Sequence, residues 1–269
     1  MLCADCANKQ LILTRWLDIV DCGGTIIIHM FGAYFGLAAS FVLGAPSNVT
    51  KEKASTASDV SALIGTTFLW LYWPSFVAGT LDVTEAQSSR ALVNTILSLI
   101  GSTVATFVCS PALSGGKLRP VDVQNAALAG GVSIGAIANL AIHPFGALLV
   151  GSLAGTLSTL GYCLLQDKLT ALGLHDTCGI HNLHGMPSLL GGIASAIVPA
   201  VLSGTQDVQP GSPGTQMAGV GLTLVVAIST GCVAGGLMRL LKQPNVVMAD
   251  DSAHWEVADD FEEKNEKSV

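Results

Sequence analysis

Two apolar stretches of the chain each carry a histidine at the same distance from an aspartate. His29 lies eight residues after Asp21, and His184 lies eight residues after Asp176, with a glycine seven residues beyond each histidine. An ionisable side chain in an apolar segment is costly and indicates a functional site, and a neutral imidazole both donates and accepts hydrogen bonds. The alternative for either ring alone is a histidine held by a neighbouring backbone carbonyl. The repeated spacing favours two equivalent segments with one shared site, as in transporters built from repeats.

The two aspartates stand at the mouths of these segments and have two interpretations. An aspartate that precedes a helix caps its free backbone N–H groups. In the functional interpretation, the buried carboxylates of Asp21 and Asp176 also orient backbone carbonyls toward a cation path without touching the cation. Because Cys178 and Gly179 follow Asp176 closely, we expect a short non-helical run before the second histidine-bearing helix.

An aromatic cluster ends in the sequence Trp-Pro-Ser-Phe. Its members are Phe68, Trp70, Tyr72, Trp73 and Phe76. Most of them are expected to form an interface belt and to pack in the core. Phe76 follows Pro74, where a helix can bend, and is a candidate plug for a narrow pore. Two further histidines, His143 and His181, are expected to be polar residues of a turn and a loop.

The composition is that of an integral membrane protein. Half of the residues are hydrophobic and 12% are charged, against roughly 25% charged in an average soluble domain. The net charge of -7 comes mostly from the C-terminal tail and argues against nucleic-acid binding. Cys3 and Cys6 form one CxxC pair, without the second pair that would complete a zinc site. The sequence predicts no metal, no cofactor and no enzyme, since no nucleophile–base pair or metal cluster stands out.

Six stretches are long enough and free enough of charge to span a membrane, which takes about 20 apolar residues. The fourth, 123–166, has twice the needed length and is divided at His143-Pro144, because the residue before a proline disfavours helix. The result is an all-α domain over 17–242, after an extracytoplasmic segment 1–16 and before an acidic cytoplasmic tail 243–269. Its seven predicted helices are 17–44, 59–80, 91–113, 122–142, 144–165, 184–204 and 216–240.

The basic residues of the loops orient these helices. With the C-terminus in the cytoplasm, seven basic residues fall on the cytoplasmic side and three on the other, as the positive-inside rule requires. The cytoplasmic set is Lys51, Lys53, Lys117, Arg119, Lys168, Arg239 and Lys242, and the opposite set is Lys9, Arg15 and Arg90. The histidine-bearing helices are the first and sixth. A complete inverted repeat of five plus five helices then leads us to expect about four helices before Met1.

These residues also carry a resemblance to a known family. The sequence resembles the Rh glycoproteins, the Rhesus branch of the ammonium transporter superfamily, over nearly the whole chain from about residue 16 to residue 256. The matching text is DCGGTIIIHMFGAYFGL at 21–37, IGTTFLWLYWPSF at 64–76, QNAALAGGV at 124–132, PFGALLVG at 144–151, STLGY at 158–162, DTCGIHNLHGMP at 176–187 and HWE at 254–256.

The resemblance implies a homotrimer of independent pores in a membrane, with eleven or twelve helices per subunit and twin histidines at the centre of each pore. His29 and His184 match the twins, Asp21 and Asp176 match the paired aspartates, and Phe76 matches the inner of two stacked phenylalanine gates. The match starts near the family's fifth helix. Two departures are Val77, where the family usually has Asn, and the residue three before His184, which is often Asn and here is a third histidine.

The resulting prediction is transport of ammonium or ammonia, with methylammonium as a related substrate, across what we expect to be the plasma membrane. A bare ion is very costly in an apolar pore, whereas removing the proton of ammonium at neutral pH costs roughly 3 kcal/mol, so neutral ammonia is favoured. Three alternatives stay open: a carbon dioxide channel of the same family, an incomplete chain that does not conduct alone, and a seven-helix receptor. The receptor is disfavoured because the last span has no lysine for retinal and no Asp-Arg-Tyr follows the third helix.

Overall fold

The computed structural model describes residues 17–45, 54–79, 84–202 and 212–241. Within these ranges, six helices of 19 to 29 residues are long and apolar enough to cross a membrane, which confirms the all-α membrane fold. Their bounds are α1 Thr25–Leu43, α2 Thr56–Gly79, α3 Glu85–Leu113, α4 Pro144–Ala171, α5 His181–Val201 and α6 Pro213–Leu241. The predicted segments 1–16 and 243–269, which include Cys3 and Cys6, lie outside the described residues.

The predicted helix over 122–142 differs in form from the structure. Residues 120–137, the broken segment, alternate between α-helix and tighter 3₁₀ turns and end before residue 142. The four pieces are Pro120–Asn125 (α), Ala126–Leu128 (3₁₀), Ala129–Ile134 (α) and Gly135–Ile137 (3₁₀). The last three pieces are surrounded by protein, because every residue from 126 to 140 is buried. Irregular backbone is tolerated at membrane depth where protein covers it.

The broken segment ties the two histidine-bearing stretches together. The carbonyl of Val132 accepts a hydrogen bond from Thr25 Oγ1 at 2.7 Å, and the carbonyl of Gly135 accepts one from the Gly23 amide at 2.7 Å. On the other side, Ser133 Oγ donates to the carbonyl of Pro187 at 2.6 Å. A buried carbonyl needs a donor, so these bonds fix both stretches against one central element.

Glycines bring two pairs of helices into backbone contact. Gly151 and Gly155 of α4 lie against the backbone of α3, where a Cβ on Gly151 would meet the carbonyl oxygen of Ser98 at 1.9 Å. Gly231 and Gly235 of α6 lie in the same way against α1, with carbonyl oxygens 2.4 and 2.5 Å from the positions that a Cβ would take. Small residues four apart are typical of close packing between membrane helices. These contacts fix α1 against α6 and α4 against α3.

The outer surface of the fold is apolar. On α2, large hydrophobic side chains such as Ile64, Phe68, Leu71 and Tyr72 are more than half exposed. Apolar patches of this extent are rare on soluble monomers, and they fit a helix that faces lipid or a neighbouring membrane helix. The ends of α2 to α6 lie within about six residues of the predicted ones, while α1 starts eight residues later than predicted because a capped loop precedes it.

Candidate functional site: the paired histidines

The two histidines singled out in the sequence are stacked on each other. The ring centroids of His29 and His184 lie 5.1 Å apart, with the ring planes inclined by 15°. The indole of Trp73 also stacks on His29, with the ring centroids 5.4 Å apart and the planes inclined by 19°. Three aromatic rings from α2, α1 and α5 therefore form one stack. Spacing alone predicted the two imidazoles, but Trp73 was expected to be only a packing or interface residue.

Phe76 stands at one edge of this stack. Its ring meets His29 edge-on at 6.2 Å and 65°, and it meets Trp73 at 6.4 Å and 77°. The side chain is 41% exposed in this chain. It therefore lies beside the first imidazole and is free on one side.

A short loop capped by Asp21 leads into the helix of His29. Asp21 Oδ2 accepts hydrogen bonds from the amides of Ile26 and Ile27, both at 2.8 Å. Gly24 has a φ of +74°, which favours glycine. The first turns of α1, Thr25–Met30, are a π-helix, a form that is rare and frequent at functional sites. The carboxylate thus fixes the start of the segment that carries the first histidine.

The loop before His184 has the same design. Asp176 Oδ1 accepts from the amide of Ile180 at 2.9 Å, and Asp176 Oδ2 accepts from the amide of His181 at 3.0 Å. Gly179 has a φ of +69° and stands three residues after the aspartate, as Gly24 does in the first loop. A π-helix follows, His181–Gly185. The non-helical run expected after Asp176 is present, and the internal repeat extends to the backbone geometry.

Side chains from α4 brace this second loop. The hydroxyl of Tyr162 donates to the carbonyls of Gly179 and Cys178 at 2.9 and 3.1 Å. Gln166 Nε2 donates to the carbonyl of Asp176, and Gln166 Oε1 accepts from Asn182 Nδ2. No sequence pattern pointed to these residues, because a single tyrosine or glutamine near a helix end is usually a surface residue.

Each histidine of the stack has a buried nitrogen with no hydrogen-bond partner in the described part of the chain. These atoms are His29 Nε2 and His184 Nδ1. Buried polar atoms in folded proteins almost always have a partner, so the two nitrogens mark a place where a small polar molecule can bind. The walls around them are apolar, with Trp73 and Phe76 beside His29, and a neutral imidazole can donate or accept there.

The other two histidines occupy different places. His143 caps α4, where its Nδ1 accepts from the Phe145 amide at 3.2 Å, and it is exposed at a turn as expected. The expectation of a loop position for His181 is wrong, because His181 is the first residue of the second π-helix. Asp176 caps the amides of residues 180 and 181, so the helix begins three residues before the predicted start at 184.

The amino-acid sequence matches known proteins over almost its full length. The model of the Ammonium Transporter Family matches residues 8–261. "Ammonium transporter Rh type A" of Bos taurus is 39% identical, in an alignment covering 96% of this chain and 61% of that protein. "Ammonium transporter Rh type B" of Mus musculus is 40% identical, covering 97% and 62%. The chain thus spans about three fifths of the length of these relatives.

Solved structures share the fold. The structure described as "Nitrosomonas europaea Rh50 and mechanism of conduction by Rhesus protein family of channels" superposes with a TM-score of 0.80 and 35% identity, over 99% of this chain and 68% of that one. Mep2 of Saccharomyces cerevisiae, at 22% identity and a TM-score of 0.68, shares the fold over 81% of this chain and 50% of its own. The predicted resemblance to the Rh branch is confirmed. The chain belongs to the Ammonium Transporter Family.

Proposed function

We propose that this chain forms the twin-histidine part of a pore that passes ammonia across a membrane. One observation carries the proposal: the stacked imidazoles of His29 and His184, 5.1 Å apart, each with a buried nitrogen that has no partner in the described residues. The names of the Rh relatives, which call them ammonium transporters, and the matched structure, described in terms of conduction by channels, point to the same cargo.

The surroundings of the two imidazoles favour a neutral cargo. Transfer of a bare cation into an apolar site is very costly unless an anion or several dipoles compensate for the lost water. The carboxylates of Asp21 and Asp176 already accept hydrogen bonds from backbone amides. Asp21 Oδ2 accepts two, and each oxygen of Asp176 accepts one. Ammonium therefore leaves its proton at the pore mouth, and ammonia passes along the histidines with hydrogen bonds to His29 Nε2 and His184 Nδ1.

The other predicted site residues have supporting roles in this proposal. Phe76, edge-on to His29, narrows the passage before the first imidazole and limits the entry of water. Asp21 and Asp176 are positioning residues: they fix the two loops by their amide bonds, and their charge orients the loop peptides. The two carboxylates do not need to contact the ammonia. Among the site residues, only the aromatic rings do.

The proposal extends to the assembly of the chain and its location in the cell. The exposed apolar face of α2 fits burial against lipid and against further helices, and we propose a homotrimer in the plasma membrane with a cytoplasmic C-terminus. Methylammonium is a suitable tracer substrate, since it carries the same ammonium group. Carbon dioxide is the competing cargo, because it is small, neutral and also compatible with an apolar passage.

The test is uptake of labelled methylammonium by cells that lack their own ammonium transporters. The full chain is compared with His29→Ala, His184→Ala and the matched control His143→Ala, whose ring lies at an exposed turn. We expect the first two variants to lose at least about tenfold in rate, the factor that corresponds to 1.4 kcal/mol, and the control to keep its rate at equal protein level. Equal rates in all four chains would contradict the proposal.

A second measurement separates the two cargoes. Purified chain in liposomes is tested for internal pH change after rapid mixing with ammonium or with carbon dioxide. The proposal expects faster alkalinisation by ammonia than in empty liposomes, and loss of that difference in His184→Ala. If the chain accelerated only the pH change caused by carbon dioxide, carbon dioxide rather than ammonia would be its substrate.

A further inference from the structure

We propose that His181 and Tyr34 form a second binding station for ammonia, next to the twin histidines. The inference rests on the proposed function and deepens it, because it adds two residues to the path of the cargo. It starts from His181, a third histidine near the stack to which the proposed function gives no role.

The two residues continue a row of contacts between α1 and the segment 175–185. His29 faces His184 at 5.1 Å, and Tyr34 faces His181 at 6.0 Å with the rings nearly perpendicular at 76°. Further along, the hydroxyl of Ser40 donates to the carbonyl of His175. As the residue number rises along α1, it falls along the partner segment. The row therefore leads from the twin histidines toward the end of α1 that is predicted to face the cytoplasm.

The polar atoms of this second pair share one small space. His181 Nδ1 is buried without a hydrogen-bond partner in the described residues. A Cβ placed on Gly185 would lie 2.9 Å from His181 Nδ1 and 3.5 Å from the hydroxyl oxygen of Tyr34. Both atoms thus border the same point, directly beside the residue that follows His184. A side chain on residue 185 would crowd His181 Nδ1 there, so Gly185 is needed for both atoms to keep their places.

Those two groups match what ammonia can exchange. Ammonia has three N–H donors and one lone pair. An unprotonated imidazole nitrogen accepts a hydrogen bond, and a phenol hydroxyl donates one. The Nδ1 of His181 and the hydroxyl of Tyr34 therefore provide a partner for each kind of group, at the next position along the row after His184.

The structural role of His181 does not use its side chain. Asp176 binds the backbone amide of His181 at 3.0 Å, so the start of the helix is fixed by the main chain. The ring contacts Tyr34 edge-on and leaves Nδ1 unpartnered among the described residues. A residue that only filled space would be an apolar one, since a buried nitrogen without a partner destabilises a fold.

The decisive measurement is nuclear magnetic resonance of the full chain in lipid nanodiscs with ¹⁵N-labelled histidine. The ring signals are assigned with His181→Gln and His184→Gln. The sample is then titrated with ammonium chloride, and with potassium chloride and tetramethylammonium chloride at the same pH and ionic strength. We expect the ring nitrogens of His181 to shift with ammonium only, together with those of the twin histidines.

The outcomes separate this inference from the proposed function. Shifts at the twin histidines with His181 unchanged would overturn the second station and leave the proposed function standing. If no histidine responds to ammonium, the proposed function fails and the second station fails with it. Shifts that appear equally with potassium would also overturn the inference, since they would report ionic strength.

Transport by variants provides a further readout. His181→Phe keeps a ring of similar size without Nδ1, His181→Gln restores a polar group, and Tyr34→Phe removes only the hydroxyl. We expect uptake of methylammonium to fall about three- to tenfold in both phenylalanine variants, the effect of one lost hydrogen bond, and to recover partly in His181→Gln. Uptake by His181→Phe equal to that of the matched control His143→Phe, with His184→Ala inactive, would refute the second station.

Discussion

Gly131 lies directly against the indole of Trp73. A Cβ on this glycine would come within 2.6 Å of Trp73 Nε1, and Trp73 in turn stacks on His29. A glycine of the broken segment therefore makes room for the ring that covers the first imidazole. Through this contact, the irregular backbone of residues 120–137 determines where Trp73, and with it the ring stack at His29, can lie.

Gly131→Val is expected to reduce transport while the protein still inserts. The valine side chain forces the indole of Trp73 to move, and the stack on His29 is lost. An aromatic pair contributes about 0.5–1.5 kcal/mol beyond its buried area, so we expect a decrease of about threefold to tenfold in methylammonium uptake at equal protein level. The control is Gly65→Val on α2, whose added Cβ meets no atom within 4 Å among the described residues outside its own stretch of helix. Normal uptake by Gly131→Val would show that the stack does not matter.

Removal of the Asp176 carboxylate is expected to lower thermal stability. Asp176→Ala leaves the amides of Ile180 and His181 without their acceptor, and the loss of a helix cap costs about 0.5–2 kcal/mol. Asp176→Asn keeps a single acceptor oxygen and should lose less. Thermal unfolding in detergent, followed by circular dichroism, measures the order: Asp176→Ala lowest, Asp176→Asn intermediate, and the control Asp167→Ala unchanged. A midpoint for Asp176→Ala equal to that of the control would contradict the capping role.

Two glycines of α4 are expected to respond to alanine in opposite ways. Gly151→Ala places a Cβ 1.9 Å from the carbonyl oxygen of Ser98, so α3 and α4 must move apart, and overpacking costs about 1–3 kcal/mol. The Cβ of Gly146→Ala meets no atom of another described segment within 4 Å, and the substitution should stabilise the helix by about 0.5–1 kcal/mol. Unfolding midpoints of the two variants decide the matter. Equal midpoints would mean that the close approach of the two helices is not needed.

Cys178 reports the orientation of the chain in the membrane. It is exposed on the loop between α4 and α5, on the side predicted to face the cytoplasm. In a variant with Cys178 as its single cysteine, a membrane-impermeant thiol reagent should label inside-out vesicles and not intact cells. A chain whose single cysteine comes from Ser212→Cys, at the exposed start of α6, should give the reverse pattern. Labelling of Cys178 in intact cells would show that the chain has the opposite orientation to the predicted one.

The same thiol is expected to react slowly at neutral pH. The side chain is exposed, but the protein around it removes part of the water, and this desolvation, followed by the nearby carboxylate of Asp176, raises the pKa of Cys178. A raised pKa means that less reactive thiolate is present at a given pH, because the thiolate is the nucleophile. Labelling should therefore accelerate from neutral to mildly alkaline pH, and more than for a small free thiol such as glutathione, whose thiolate fraction levels off earlier. An equal acceleration for both would contradict the raised pKa.

The helices were predictable because their signal is simple. Long uncharged stretches identify spans, and the division at His143-Pro144 agrees with α4 starting at Pro144. The broken segment was not predictable in form. Its sequence from Ala126 to Ile137 is as apolar as that of a regular helix, and only the partners of its backbone, such as Thr25 and Gly23, reveal why it departs from one.

The site was predictable in part. The equal spacing of Asp21 and Asp176 from their histidines is a pattern within one sequence, so the pair His29–His184 could be found without a structure. Trp73 and His181 could not, because their roles depend on contacts between segments far apart in the chain. Their neighbours in the sequence are ordinary membrane and loop residues, which made packing and a loop position the natural expectations.

Both histidines of the stack lie in π-helical turns, in which each hydrogen bond reaches one residue further along the chain than in an α-helix. Deletion of one residue from Thr25–Met30 would return that turn to α-helical winding and rotate His29 by about 100° relative to the loop behind it. The position of the two imidazoles relative to each other therefore depends on the number of residues in each turn. Each histidine lies eight residues after its capping carboxylate in both copies, so this spacing constrains the site as well as the identity of the histidine.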